Sequence, residues 1–113
     1  MKFILSIYPD RTVELSPEQR AAIPDAVSAW IEEMDGRGVR LEGHVLEPAS
    51  EAATVRVRDG NVVRENGPAT DSDVQVSGFN LLDCADLNEA LEVAAKHPVA
   101  AFGVLELRAF ADA

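Results

Sequence analysis

Only one cysteine, Cys84, occurs in 113 residues, so no disulfide can close within the chain and the fold must rest on packing. Long apolar runs are missing too. The opening stretch from Phe3 to Tyr8 is too short for a secretory core or a membrane span and meets Pro9 and Asp10 at once. With no signal peptide and no disulfide, a reducing cytoplasm is the expected compartment. Basic charge is scarce: 10 lysines and arginines stand against 20 aspartates and glutamates, a formal net charge of −10 that no basic cluster offsets. Nucleic acid and anionic membrane surfaces are therefore not expected partners, and the surplus charge reads as a means of staying soluble. The two histidines, His44 and His97, have no partners at metal-ligand spacing, and Cys84 has no nearby His or Cys. A Gly-rich phosphate loop, a Gly-x-Ser-x-Gly elbow and a dinucleotide fingerprint are also absent, so neither metal nor cofactor is expected.

What is present is ordinary globular composition, 47% hydrophobic and 27% charged. The length sets a single domain over residues 1–113, able to bury about two thirds of the surface its unfolded chain exposes. Lys2 to Tyr8 is apolar on both parities, which predicts a central strand covered on both faces. Ser16-Pro17-Glu18-Gln19 is a capped helix start, followed by an apolar stripe of Ile23, Val27, Trp30, Ile31 and Met34 that ends near Gly36-Arg37-Gly38. Pro24 inside that stripe predicts a kink or a break.

Val39, Leu41, Gly43 and Val45 alternate with Arg40, Glu42, His44 and Leu46, the period of a half-buried strand; the first set is expected to face the helices. Asp59-Gly60, flanked by Thr54 to Arg58 and Asn61 to Glu65, is a hairpin signal. Val74 to Leu82 reads as the next strand, with a bulge or close approach at Gly78. A second helix starts at Asp86-Leu87-Asn88-Glu89, with Leu87, Ala90, Leu91, Ala94 and Ala95 expected inside, and stops at Pro98. Lys96 and His97 read as helix-terminal cations that cap free carbonyls. Phe102 to Phe110 is the last strand.

Strand, helix, strand, hairpin, strand, helix, strand reduces, without the hairpin, to βαββαβ. This is the α+β, ferredoxin-like arrangement, here with an inserted β-hairpin and both helices on one sheet face. The bare face, which includes Ile4, needs a cover, and a second copy of the chain is the simplest one, so a homodimer is expected.

Between hairpin and strand lies Asn66-Gly67-Pro68-Ala69-Thr70-Asp71, a loop that Gly67 and Pro68 hold in one shape. Read with Met1 to Tyr8, Leu15-Ser16-Pro17-Glu18, Thr54 to Gly60 and Ser77-Gly78-Phe79, it resembles the YCII-related family, and within it the branch named for an Asp-Gly-Pro-Phe motif. The resemblance runs over nearly the whole chain. It implies ferredoxin-like subunits paired into a dimeric α+β barrel similar to muconolactone isomerase, with a cleft between sheet and loops. It further implies chemistry like that of relatives that dehydrochlorinate chlorinated aromatics, in a family where a His and Asp pair is the suspected catalytic element. Two positions depart from the motif: Asn66 stands where Asp is usual and Ala69 where Phe is usual. Losing the carboxylate at position 66 removes a base or a charge partner for an imidazole, and Asp71 is the nearest replacement.

The expected catalytic residues are thus His44 and Asp71, with Tyr8, Glu42, Asn66 and Ser77 binding a small-molecule ligand. A histidine side chain can take up and release a proton, and Glu42, two residues from His44 on the same face, can orient it. A simpler reading is open for each: His44 as a solvated strand residue, His97 as a helix cap, Asp71 and Ser77 as turn residues. Two functions follow. One is a dimer that binds a small organic molecule and, without cofactor, carries out isomerase-like or lyase-like proton transfer. The alternative is a non-enzymatic interaction or regulatory module.

Overall fold

In the computed structural model, which describes residues 1–112, the expected first strand spans Lys2–Pro9 (β1). Along the chain follow α1 (Pro17–Gly36), β2 (Arg40–Val45), β3 (Ala53–Arg58), β4 (Asn61–Asn66), β5 (Gly78–Asp83), α2 (Leu87–Ala95) and β6 (Gly103–Ala109), with short 3-10 turns at Ala49–Glu51 and Pro98–Ala101. A four-stranded antiparallel sheet has the order β2-β5-β1-β6, so the two central strands come from opposite halves of the chain. Two helices and antiparallel sheets make the architecture α+β, consistent with a ferredoxin-like domain.

The faces of β1 differ. Phe3, Leu5 and Ile7 are buried, whereas Ile4, Ser6 and Tyr8 are only half-buried. The buried side joins Trp30 and Met34 of α1, Ala90, Val93 and Ala94 of α2, and Val39, Leu82 and Cys84 in one core. Burial raises the Cys84 thiol above its usual pKa, which disfavours the nucleophilic thiolate. On the opposite face, the registers align His44, Phe79, Ser6 and Glu106 in one row and Glu42, Leu81, Ile4 and Arg108 in the next. Cover on both faces of β1 is not found among the described residues of one chain.

Ser16 begins α1 as expected. Its hydroxyl accepts from Gln19 N at 3.1 Å while Gln19 Oε1 accepts from Ser16 N at 2.8 Å. The helix does not break at Pro24. That turn is anchored on both sides, by the capping box before it and by buried Trp30 and Met34 after it, and Pro24 itself is exposed to solvent.

Three other expectations shift. Strand β5 starts at Gly78 rather than Val74, because the preceding residues fold on their own contacts: Gln75 Nε2 donates to Thr70 O and Ser72 O, and Val74 makes only a lone bridge with Asp10. The inner face of α2 is Ala90, Val93 and Ala94, while Leu87 and Leu91 are about half exposed at 49% and 51%. In β2 the ladder slips between Arg40 and Glu42, so that Arg40 pairs with Leu82, Glu42 with Leu81, and Leu41 bulges out exposed. Of the residues expected to face the helices, Val39 is buried, but Leu41 and Val45 are exposed and Arg40 takes the inner position.

Strands β3 and β4 form a separate two-stranded sheet closed by Asp59 and Gly60 at φ 51° and 77°, both left-handed as a type I′ turn requires. The pair stands as an arm whose extensive contacts are with itself, and Val55, Val57 and Val62 on it are exposed. No helix among the described residues is long and apolar enough to cross a membrane.

Candidate functional site

A cavity of about 520 Å³ lies between α1 and the inner face of the sheet. Ile7 of β1, Val27, Trp30 and Ile31 of α1, and Val99 give it apolar walls, and Arg40, Asn80, Ser77 and His97 supply its polar groups. Size and lining suit a small organic ligand, for which a largely apolar pocket with a few fixed polar groups is the common design.

The polar groups are held by the fold. The bulge at Leu41 lays Arg40 toward the helix side, where its Nε donates to Asn80 Oδ1 at 2.8 Å and its Nη1 to Asp35 Oδ1 of α1 at 3.1 Å. Asn80, mid-strand in β5, is only 6% exposed and would be costly to bury without that bond. Gly43 faces the pair from β2; a Cβ at this position would run into Asn80 Oδ1 and lie 2.8 Å from Arg40 Nη2.

His97 follows α2 and is 4% exposed, with its ring edge-on to Trp30 at a centroid distance of 4.7 Å. Its Nδ1 accepts from Val99 N at 3.1 Å, capping the 3-10 turn that Pro98 opens. The expected role of a cation that caps the preceding helix is therefore reversed: the ring accepts a bond from the turn after it. Burial pushes its pKa from 6.5 down to about 4, so it is neutral at physiological pH. Trp30 is fixed in turn, its Nε1 donating to Val93 O at 3.0 Å.

The residues predicted from sequence fall into three places. His44 and Glu42 come together, Nε2 to Oε2 at 2.9 Å, on the bare sheet face with side chains 58% and 56% exposed. His44 also leans on Phe79, ring centroids 5.6 Å apart, and touches the rim of the cavity. Ser77 lines the cavity itself and donates to Ile7 O at 3.4 Å.

Tyr8 lines a neighbouring cavity of about 530 Å³ with Pro68, Ala69 and Thr70, so the glycine-proline loop walls that space rather than the first. Leu46 to Ala49 and Gln75 to Val76 divide the two. Asn66 ends β4 opposite Ala53, and Gly67, at φ 114°, donates from its N to Ala52 O at 2.6 Å. Asp71 is exposed and makes no side-chain hydrogen bond to His44.

Sequence reasoning did not place Arg40, Asn80 and Trp30 at a site. Asn80 in an apolar strand and Gly43 opposite it were the available signals, since a buried amide needs a partner. Arg40 stayed hidden behind the assumed alternation of β2.

Comparison with known proteins agrees with this architecture. Over 82 residues the chain is 35% identical to an uncharacterized protein of Rhizobium meliloti (strain 1021), a match covering 59% of this chain and 66% of that protein's length. Among solved structures, it is similar to 5-chloro-2-hydroxyhydroquinone dehydrochlorinase (TftG) from Burkholderia phenoliruptrix AC1100, seen in complex with 2,5-dihydroxybenzoquinone. That likeness has a TM-score of 0.52 over 97% of this chain and 93% of that one; at 13% identity it speaks to the fold alone. The pattern of the YCII-related domain spans residues 1–112, and the chain belongs to that family.

Proposed function

We propose that this protein binds a small organic molecule in the cavity between α1 and the sheet, and that it does so as a homodimer. The observation that carries this reading is the cavity of about 520 Å³ whose apolar walls enclose two buried polar side chains, Asn80 and His97. The solved neighbour is named a dehydrochlorinase, and elimination is a proton-transfer chemistry that side chains can support without a cofactor.

In this reading proton transfer belongs to His44 at the cavity rim, held by Glu42, since a carboxylate-oriented imidazole is suited to general base work near neutral pH. Tyr8 borders the adjoining space together with Pro68, Ala69 and Thr70, where the loop that Asn66 and Asp71 flank would contact the distal part of a larger ligand. The dimer would pair bare faces, bringing Ile4, Phe79 and Leu81 out of water in a barrel of two sheets. Fold alone does not fix the substrate.

A thermal-shift screen of small aromatic and acidic metabolites tests the binding: a ligand bound only by the folded state must raise the melting temperature. Shifts that vanish on filling the cavity, as in Ile31→Trp, support it. A flat response across a broad panel refutes it. A second reading, an interaction module, draws on the exposed Val55, Val57 and Val62 of the β3–β4 arm, and a flat ligand screen would favour it.

A further inference from the structure

Three donor nitrogens stand on the cavity wall with no hydrogen-bond acceptor among the described residues. Arg40 engages Asn80 through Nε and Asp35 through Nη1, which leaves Nη2. Asn80, with Oδ1 occupied by Arg40, presents Nδ2 as its free end. His97 accepts through Nδ1, so its neutral ring carries the hydrogen on Nε2. Among the described residues no wholly buried side-chain nitrogen lacks a partner, so these three unbonded nitrogens each keep contact with open space. Asn80 and His97 are nonetheless 6% and 4% exposed, which leaves the cavity as the space they meet.

Acceptors do not balance them. The Ser77 hydroxyl is turned to the Ile7 carbonyl, Glu47 is exposed, and most of the other side chains around the cavity are apolar. Gly43 keeps the donors in place, because any side chain there would push Asn80 and Arg40 Nη2 away. Donors without acceptors, set in apolar surroundings, complement a ligand atom that only accepts, and most strongly one that carries negative charge.

From this juxtaposition we infer that the cavity takes a planar organic oxyanion, an aromatic carboxylate or enolate, with its charged oxygen on Arg40 Nη2 and Asn80 Nδ2 and its ring against Trp30 and Ile31. The inference rests on the ligand-binding reading proposed above. Asp35 offsets much of the Arg40 charge, so recognition works through directed hydrogen bonds rather than a positive field. This also explains how a chain of net charge −10 can hold an anion. His97 Nε2–H supplies a further donor for an oxygen elsewhere on the ring.

Trp30 is the only tryptophan and lines the cavity, so its fluorescence reports occupancy. Benzoate and its neutral near-isostere benzamide are the probes, titrated at neutral pH to about 10 mM, the range in which fragments of this size bind. Benzoate is expected to bind at least about tenfold more tightly, a preference of the size that a charge-assisted bond supplies. Asn80→Asp, which keeps the acceptor for Arg40 but replaces the free donor with a second carboxylate oxygen, is expected to abolish the preference while benzamide still binds. Arg40→Met is the second variant, removing Nη2 outright, and circular dichroism verifies that each variant is folded. Equal affinity for the two probes overturns the oxyanion assignment and leaves the cavity reading standing. Quenching by neither overturns both.

Discussion

His97 ties the stability of the fold to pH in a direction that can be worked out beforehand. Burial beside Trp30 lowers its pKa from 6.5 to about 4, whereas in the unfolded chain it returns to the ordinary value. Between those limits the unfolded chain binds a proton that the folded chain refuses. Its contribution is therefore fully present above about pH 6.5 and is lost progressively as pH falls toward about 4. At about 1.4 kcal/mol per pH unit the ceiling is ~3.4 kcal/mol. Water reaching Nε2 through the cavity screens part of the charge, so a loss of about 2 kcal/mol is expected.

The perturbation is His97→Asn, which keeps an acceptor for Val99 N but does not titrate. Urea unfolding followed by far-ultraviolet circular dichroism, from neutral pH down to about 4.5, gives the stability of both proteins. Their carboxylates are the same, including Glu92, which the hydrogen bond from Arg37 holds down at about 2, so the difference between the two pH curves isolates His97. The wild type should lose about 2 kcal/mol more than the variant over this range. Parallel curves, within about 0.5 kcal/mol, would refute the burial argument and with it the neutral donor assigned to the cavity.

Trp30→Phe removes the indole donor that the Val93 carbonyl accepts at 3.0 Å, leaving that oxygen the longer bond from Lys96 N at 3.3 Å. A loss of about 0.5–1.5 kcal/mol is expected from that one lost bond, and no measurable loss would show that Lys96 N or water replaces it. The measurement must use circular dichroism, because the variant has no tryptophan left. Sedimentation equilibrium at micromolar concentration should give twice the chain mass of 12.2 kDa, and Leu81→Lys on the bare face should give a monomer. A monomeric wild type would refute the paired-sheet proposal.

Much of the fold was legible in the sequence because local chemistry decided it. Ser16 and Asp86 start helices where their side chains reach back to the third residue on, and Asp59-Gly60 turns where left-handed dihedrals are needed. The departures share a different cause. Leu41 is as good a core residue as its neighbours, so nothing in its identity announces a bulge; only pairing with β5 decides which of two consecutive residues the ladder skips. The error carried forward, since an assumed alternation puts Arg40 on the solvent face and out of any site with Asn80. In α2 the small Ala90 and Ala94 lie against the sheet while the bulkier Leu87 and Leu91 do not, so close approach outweighed hydrophobicity. His97 misled for a comparable reason: the proline after it marks the end of one helix and also the start of another turn.

The bulge in β2 also gives the sheet two unequal edges. Along β2 the skipped residue interrupts the regular spacing of backbone donors and acceptors that an incoming strand would have to match. Along β6 the spacing is unbroken from Gly103 to Ala109, and its outer-face side chains include Glu106 and Arg108, which form an ion pair at 3.2 Å. Growth of this sheet by strand addition is thus directional. A further chain finds a continuous template in this sheet only at β6, the edge opposite β2, so extending the sheet there leaves the cavity-lining residues Arg40, Gly43 and His44 of β2 uncovered.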